Sequence, residues 1–72
     1  MNKEIIKGHW KEITGKLKQQ WGKLTDNDIT SMRGTYDELE GTLMKKYGYD
    51  KERAQKEIEL FLDKHHWTEK AD

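Results

Sequence analysis

The chain has no cysteine and no proline, contains a single serine, Ser31, and has no valine. Without cysteine there is no disulfide framework and no thiolate zinc site. Without proline nothing interrupts a helix by removing a backbone donor, so long helical runs are open to it. One serine and no thiol leave little for nucleophilic catalysis, and no Gly-x-Ser-x-Gly elbow occurs. Long apolar runs are also missing: no stretch approaches a membrane span, and residues 1–8 show no apolar core of a signal peptide. The expected compartment is the cytoplasm, with no transmembrane segment.

Apolar side chains are scarce as well. Ile, Leu and Phe total twelve of 72 residues, below the roughly 20% associated with disorder. That boundary also requires high net charge, whereas 14 basic residues here balance 14 acidic ones. Three Trp and three Tyr add large rings that the count omits, and such rings dominate small cores. The composition therefore predicts one folded domain, residues 1–72, with a thin margin of stability.

Charge is uneven along the chain. Residues 1–24 carry six Lys against Glu4 and Glu12, a local net of +4. Residues 25–50 carry six acids against Arg33, Lys45 and Lys46, a net of −3, and residues 51–72 come to −1. A basic helix packed near an acidic one within the same domain accounts for this. A basic face for nucleic acid is the alternative, opposed by the neutral total.

Apolar spacing predicts an all-α fold. Ile6, Trp10, Ile13, Leu17, Trp21 and Leu24 fall within a sector of roughly 80° at about 100° per residue, a narrow amphipathic stripe. This predicts a first helix from about Lys3 to Lys23. Thr25 is an N-cap with Asp26 and Asp28 suiting the positive helix end, so a short second helix starts at Asp26, runs to about Arg33 and buries Ile29 and Met32. Gly34 stops it in the left-handed conformation. Thr35 to Glu38 reads as a capping box that opens a third helix to Tyr47, with Tyr36, Leu39, Leu43 and Tyr47 inward. Gly48 ends that helix and Asp50 caps a fourth, with Ala54, Ile58, Phe61, Leu62 and His65 inward. Residues beyond Trp67 are expected to fray.

A pattern repeats at an offset of 26 residues, relating 8–24 to 34–50. Five positions are identical: Gly8/Gly34, Glu12/Glu38, Gly15/Gly41, Leu17/Leu43 and Gly22/Gly48. Trp10/Tyr36, Ile13/Leu39 and Trp21/Tyr47 are conservative. Helical period explains the apolar matches but not three glycines seven apart in both halves, so the segments read as an internal duplication.

Gly8-His9-Trp10-Lys11, Gly15-Lys16 and above all Trp21-Gly22-Lys23-Leu24-Thr25-Asp26-Asn27-Asp28 resemble the opening block of the CsbD-like family of small bacterial proteins. Gly34, Asp37, Leu39, Gly41, Tyr47-Gly48 and Ala54 resemble its second block, so the resemblance spans roughly residues 3 to 62. It implies a general stress-response protein built of four short helices in two packed hairpins. It implies no reaction, cofactor or binding residue, and none is assigned: there is no catalytic, cofactor-binding or metal site to carry over.

The individual residues agree with this. The glycines form neither Gly-x-Gly-x-x-Gly nor a Walker loop. His65 and His66 point about 100° apart on a helix and cannot readily chelate together. Gly8, Gly15 and Gly22 project about 190° from the stripe centre, and each interior glycine costs about 0.5–1 kcal/mol relative to Ala. Either the glycine track admits another backbone, giving a partner interface or weak self-association of an otherwise monomeric protein, or helix instability is itself useful. The resulting expectation is a non-enzymatic solvating or interaction module with an unidentified protein partner or none. The alternatives are nucleic-acid binding through Lys3, Lys7, Lys11 and Lys18, and peripheral membrane binding by the basic helix with Trp10 and Trp21.

Overall fold

The computed structural model describes residues 2–67, so the expected fraying beyond Trp67 lies outside the described residues. Five α-helices and no strand occur among them: α1 Asn2–Gly8, α2 Trp10–Gln20, α3 Asp26–Ser31, α4 Tyr36–Tyr47 and α5 Lys51–Lys64. The Cα radius of gyration is 11.3 Å, matching the about 11 Å of a packed domain this long. The all-α bundle is thus folded despite its thin apolar supply.

The fifth helix arises because the expected Lys3–Lys23 helix is divided. His9 takes φ −113°, ψ 20°, away from helical values of about −63°, −42°. Ordinary turns continue on both flanks, His9 N–H donating to Ile5 O at 3.0 Å and Ile13 N–H to His9 O at 2.8 Å. Gly8 supplies the weak point, since glycine resists helix more than any residue but proline. The bend lets Ile5 join Ile6 inside, whereas a straight helix on the Trp stripe would turn Ile5 aside.

The far end of that helix also stops early. Gln20 is its last residue and Trp21 is the cap, at φ −130°, ψ 89°. The chain then turns, with Leu24 N–H donating to Trp21 O at 3.0 Å, so that both Trp21 and Leu24 are buried. Gly22 is therefore not the helix cap.

Local capping carries the remaining elements. The Thr25 hydroxyl accepts from Asp28 N–H at 3.1 Å, and Asp28 Oδ2 accepts from Thr25 N–H at 2.9 Å. This reciprocal pair opens α3, which ends at Ser31, two residues short of the expected Arg33. Gly34 follows at φ +86° and separates the helices. Thr35 accepts from Glu38 N–H at 3.2 Å, but the Glu38 carboxylate binds Arg33 N–H instead of closing a box on Thr35. Gly48 ends α4 at φ +71°, its N–H donating to Met44 O at 2.9 Å. Asp50 then caps α5 through Arg53 N–H at 2.7 Å.

α4 packs against α5 as a hairpin and against α1 on another side. Ile6, Ile13, Leu17, Leu39, Leu43, Ile58 and Phe61 are fully enclosed at its centre. Each such side chain contributes about 1.5–3 kcal/mol of transfer free energy. Trp10, Ile29 and Tyr47 pack on the core while staying partly exposed. The expected inward set keeps its register, but Trp10, Ile29, Tyr47 and His65 lie at the margin and are only half-buried.

Candidate functional site

Residue types that carry catalysis are bound up in local structure. Ser31 donates its hydroxyl to Asp28 O at 3.0 Å within α3. His9 Nδ1 lies 3.1 Å from Glu12 Oε1, one turn along. Among the described residues no three His, Asp or Glu side chains gather to hold a metal ion. Glu40 is a group that sequence pattern missed: it is 8% exposed on α4, and its Oε2 has no hydrogen-bond partner among the described residues. One turn before it, burial raises the Tyr36 phenol above its ordinary value, assisted by Glu40, Glu59 and Asp37.

The basic segment is tied to the acidic one. Lys18 Nζ reaches Asp26 Oδ1 at 2.6 Å, and Lys3 Nζ lies 3.9 Å from Asp37 Oδ1. Both pairs are largely exposed, so each is worth about 0–1 kcal/mol and yields to salt. Lys46 on the last turn of α4 meets Asp28 Oδ2 at 3.0 Å. The Thr25 N–H, then Lys46, hold the Asp28 carboxyl below its ordinary range. Lys3 and Lys7 line a pocket of about 250 Å³ with Gly34, Thr35, Tyr36 and Asp37. Asp37 offsets the positive charge there, which weakens any pull on phosphate.

Aromatic side chains form two clusters that linear spacing does not announce. At the α4–α5 turn Tyr47 and Tyr49 stack at 5.3 Å, with Lys23 Nζ 5.2 Å from the Tyr47 ring and Arg53 4.7 Å from the Tyr49 ring. Tyr47 Oη also accepts from Lys23 N–H at 3.1 Å. This clasp pins the loop after α2 onto the end of α4. At the other corner Trp21 meets Phe61 at 5.0 Å, and Phe61 leads to His65 and Trp67 at 5.0 and 5.7 Å.

The glycine track faces open space. A Cβ built on Gly8, Gly15, Gly22 or Gly41 meets nothing within 4 Å, whereas one on Gly34 would sit 3.1 Å from Trp10 Cγ. Gly34 thus supports Trp10 inside the fold, and the exposed glycines lie outside it. No helix is long and apolar enough to cross a membrane among the described residues.

These features define a small all-helical bundle with charge-rich, glycine-bearing outer faces around an aromatic-edged core. Residues 4–56 match the family described as CsbD-like, and the chain belongs to that family. A UPF0337 protein of Pectobacterium atrosepticum is 49% identical over 69 residues, covering 93% of this chain and 100% of that protein. One from Protochlamydia amoebophila is 52% identical over 65 residues, covering 90% and 98%. The UPF0337 protein YjbJ of Escherichia coli K12 is 50% identical over 58 residues, covering 81% and 84%.

Proposed function

We propose that this protein is a non-enzymatic member of the general stress response, acting in the cytoplasm as a hydrophilic helical module that solvates or shields other macromolecules. Family membership supports the link to stress. The observation that carries the solvating role is the outer surface. Gly8, Gly15 and Gly41 stand open on helices, giving up about 0.5–1 kcal/mol each that alanine would supply. Charged residues make up 39% of the chain at zero net charge, and mean hydropathy is −1.23. Such a surface holds water without a strong field of either sign.

The test is recovery of an unrelated enzyme's activity after drying, with this protein or an equal mass of an inert globular protein added. Higher recovery with this protein, rising smoothly with its concentration, is the expected result. Equal recovery in the two samples removes the shielding role. A salt-dependent mobility shift with DNA or RNA would promote nucleic-acid binding in its place. A Trp emission shift on anionic vesicles would promote membrane binding, which requires Trp21, only 2% exposed, to leave the core.

A further inference from the structure

The Tyr47–Tyr49 stack continues at both ends into a cation. Lys23 Nζ lies 5.2 Å from the Tyr47 ring, and the Arg53 guanidinium lies 4.7 Å from the Tyr49 ring. These groups form a ladder that reaches the surface, with both tyrosines half-buried and Lys23 and Arg53 exposed. Arg53 is its open end. Glu57 Oε2 accepts from the Arg53 Nε at 3.1 Å and steers the guanidinium, while the side chain stays 59% exposed. Such a group presents a flat, weakly hydrated face on which a nucleobase can lie. We propose that Tyr49 and Arg53 form a stacking platform for one nucleotide unit, the base lying on the guanidinium and its phosphate meeting Lys56.

Lys56 stands three residues after Arg53, on the same face of α5. It is exposed and closes no ion pair among the described residues. Two carboxylates of this corner are already engaged: Glu57 holds the guanidinium, and Asp50 accepts from Arg53 N–H at 2.7 Å. The approach is open, since a Cβ on Gly22 or Gly48 would meet nothing within 4 Å. Gly48 is needed for its positive φ, whereas Gly22 takes none. Glu52 and Glu59, exposed on the same helix, keep the pull on phosphate modest. Stacking on the base therefore sets the preference, and the complex is weak. The platform goes beyond the solvating role and does not depend on it, so protection during drying can persist when stacking is lost. It is also distinct from binding led by the lysines of α1 and α2.

Nuclear magnetic resonance of the full chain tests it, with adenosine monophosphate, a short adenine-rich single strand and ribose phosphate added in turn. The monophosphate is expected to move the amides of Gly48, Tyr49, Arg53 and Lys56, while ribose phosphate, which lacks a base, moves none of them at the same concentration. Tighter binding of the strand would make a nucleic-acid chain the source of the unit, and equal binding a free nucleotide. Arg53→Lys keeps the charge but loses the plane, and should weaken binding about fivefold or more. Tyr49→Phe keeps the stack and should leave affinity unchanged. Unchanged exchange protection of the Leu17 and Leu43 amides shows that each variant is folded. Full-strength binding by Arg53→Lys would overturn the proposal. So would equal shifts with ribose phosphate, or shifts confined to the amides of Lys7 and Lys11.

Discussion

Residues 8–24 and 34–50 carry the same pattern and do different things with it. Their centres agree: Ile13 and Leu39 are fully buried, Leu17 and Leu43 are fully buried, and Gly15 and Gly41 both face open space. Their ends diverge. In the first segment the leading ring, Trp10, is half-buried and the trailing ring, Trp21, is enclosed; in the second, Tyr36 is enclosed and Tyr47 half-buried. The glycines diverge too. Gly34 and Gly48 take positive φ outside the helix, while Gly8 ends α1 without positive φ and Gly22 follows the cap. Matching residues set a shared helical face in the middle. The partners met at each end decide where that helix starts and stops.

The most damaging change predicted is at the shared centre. Leu17→Ala and Leu43→Ala should each cost about 2–5 kcal/mol, enough to unfold much of so small a domain. Urea melts of the two variants measure whether the segments contribute equally. A difference above about 2 kcal/mol would mean the symmetric centre conceals unequal packing.

A matched glycine pair comes next. Gly34→Ala should destabilise by about 1–2 kcal/mol, because its positive φ penalises any Cβ and the methyl would also press on Trp10. Gly8→Ala has neither obstacle and should be neutral or stabilising by up to about 1 kcal/mol. Equal effects in thermal melts would erase the distinction drawn between the two ends.

The caps sharpen the contrast further. Thr25→Ala and Thr35→Ala should each cost about 1 kcal/mol, with Thr25 the larger because its box is reciprocal. Asp28 also gives α3 an acid-sensitive start. Its carboxyl is held below 3.8 in the folded chain, so its stabilisation is full above that value and fades as pH falls through the folded value. Asp28→Asn should flatten the stability curve below pH 3.8, read by circular dichroism during acid titration.

The smallest effect is expected at the symmetric glycines. Gly15→Ala and Gly41→Ala should each stabilise by about 0.5–1 kcal/mol through helix propensity and a less free unfolded chain. Melts at several protein concentrations separate this from the alternative. Destabilisation by about 1–3 kcal/mol, the cost of overpacking a tight contact, with a lost concentration dependence, would place another chain against the track.

Much of this architecture was legible from residue order alone. Periodicity located the α2, α4 and α5 faces, and short polar side chains with glycines marked Thr25, Thr35, Gly34, Gly48 and Asp50, because capping and positive φ act within a few residues. The outward glycines followed from the same 100° geometry. What spacing did not disclose were groups whose partners are distant: Ile5, Glu40, the Tyr47–Tyr49 clasp and the ring cluster on Trp67.

Sequence by itself determined the helical class, the core register and the exposed glycine track, since these depend on helix period and local hydrogen bonding. Tertiary structure alone decided the break at His9, the early stop at Gln20 and the docking of Trp67 between His9 and His65. At those points contacts with distant residues, not the local pattern, set the backbone direction. Burying Ile5 with Ile6 outweighs the few tenths to about 1 kcal/mol that local helix propensity commands.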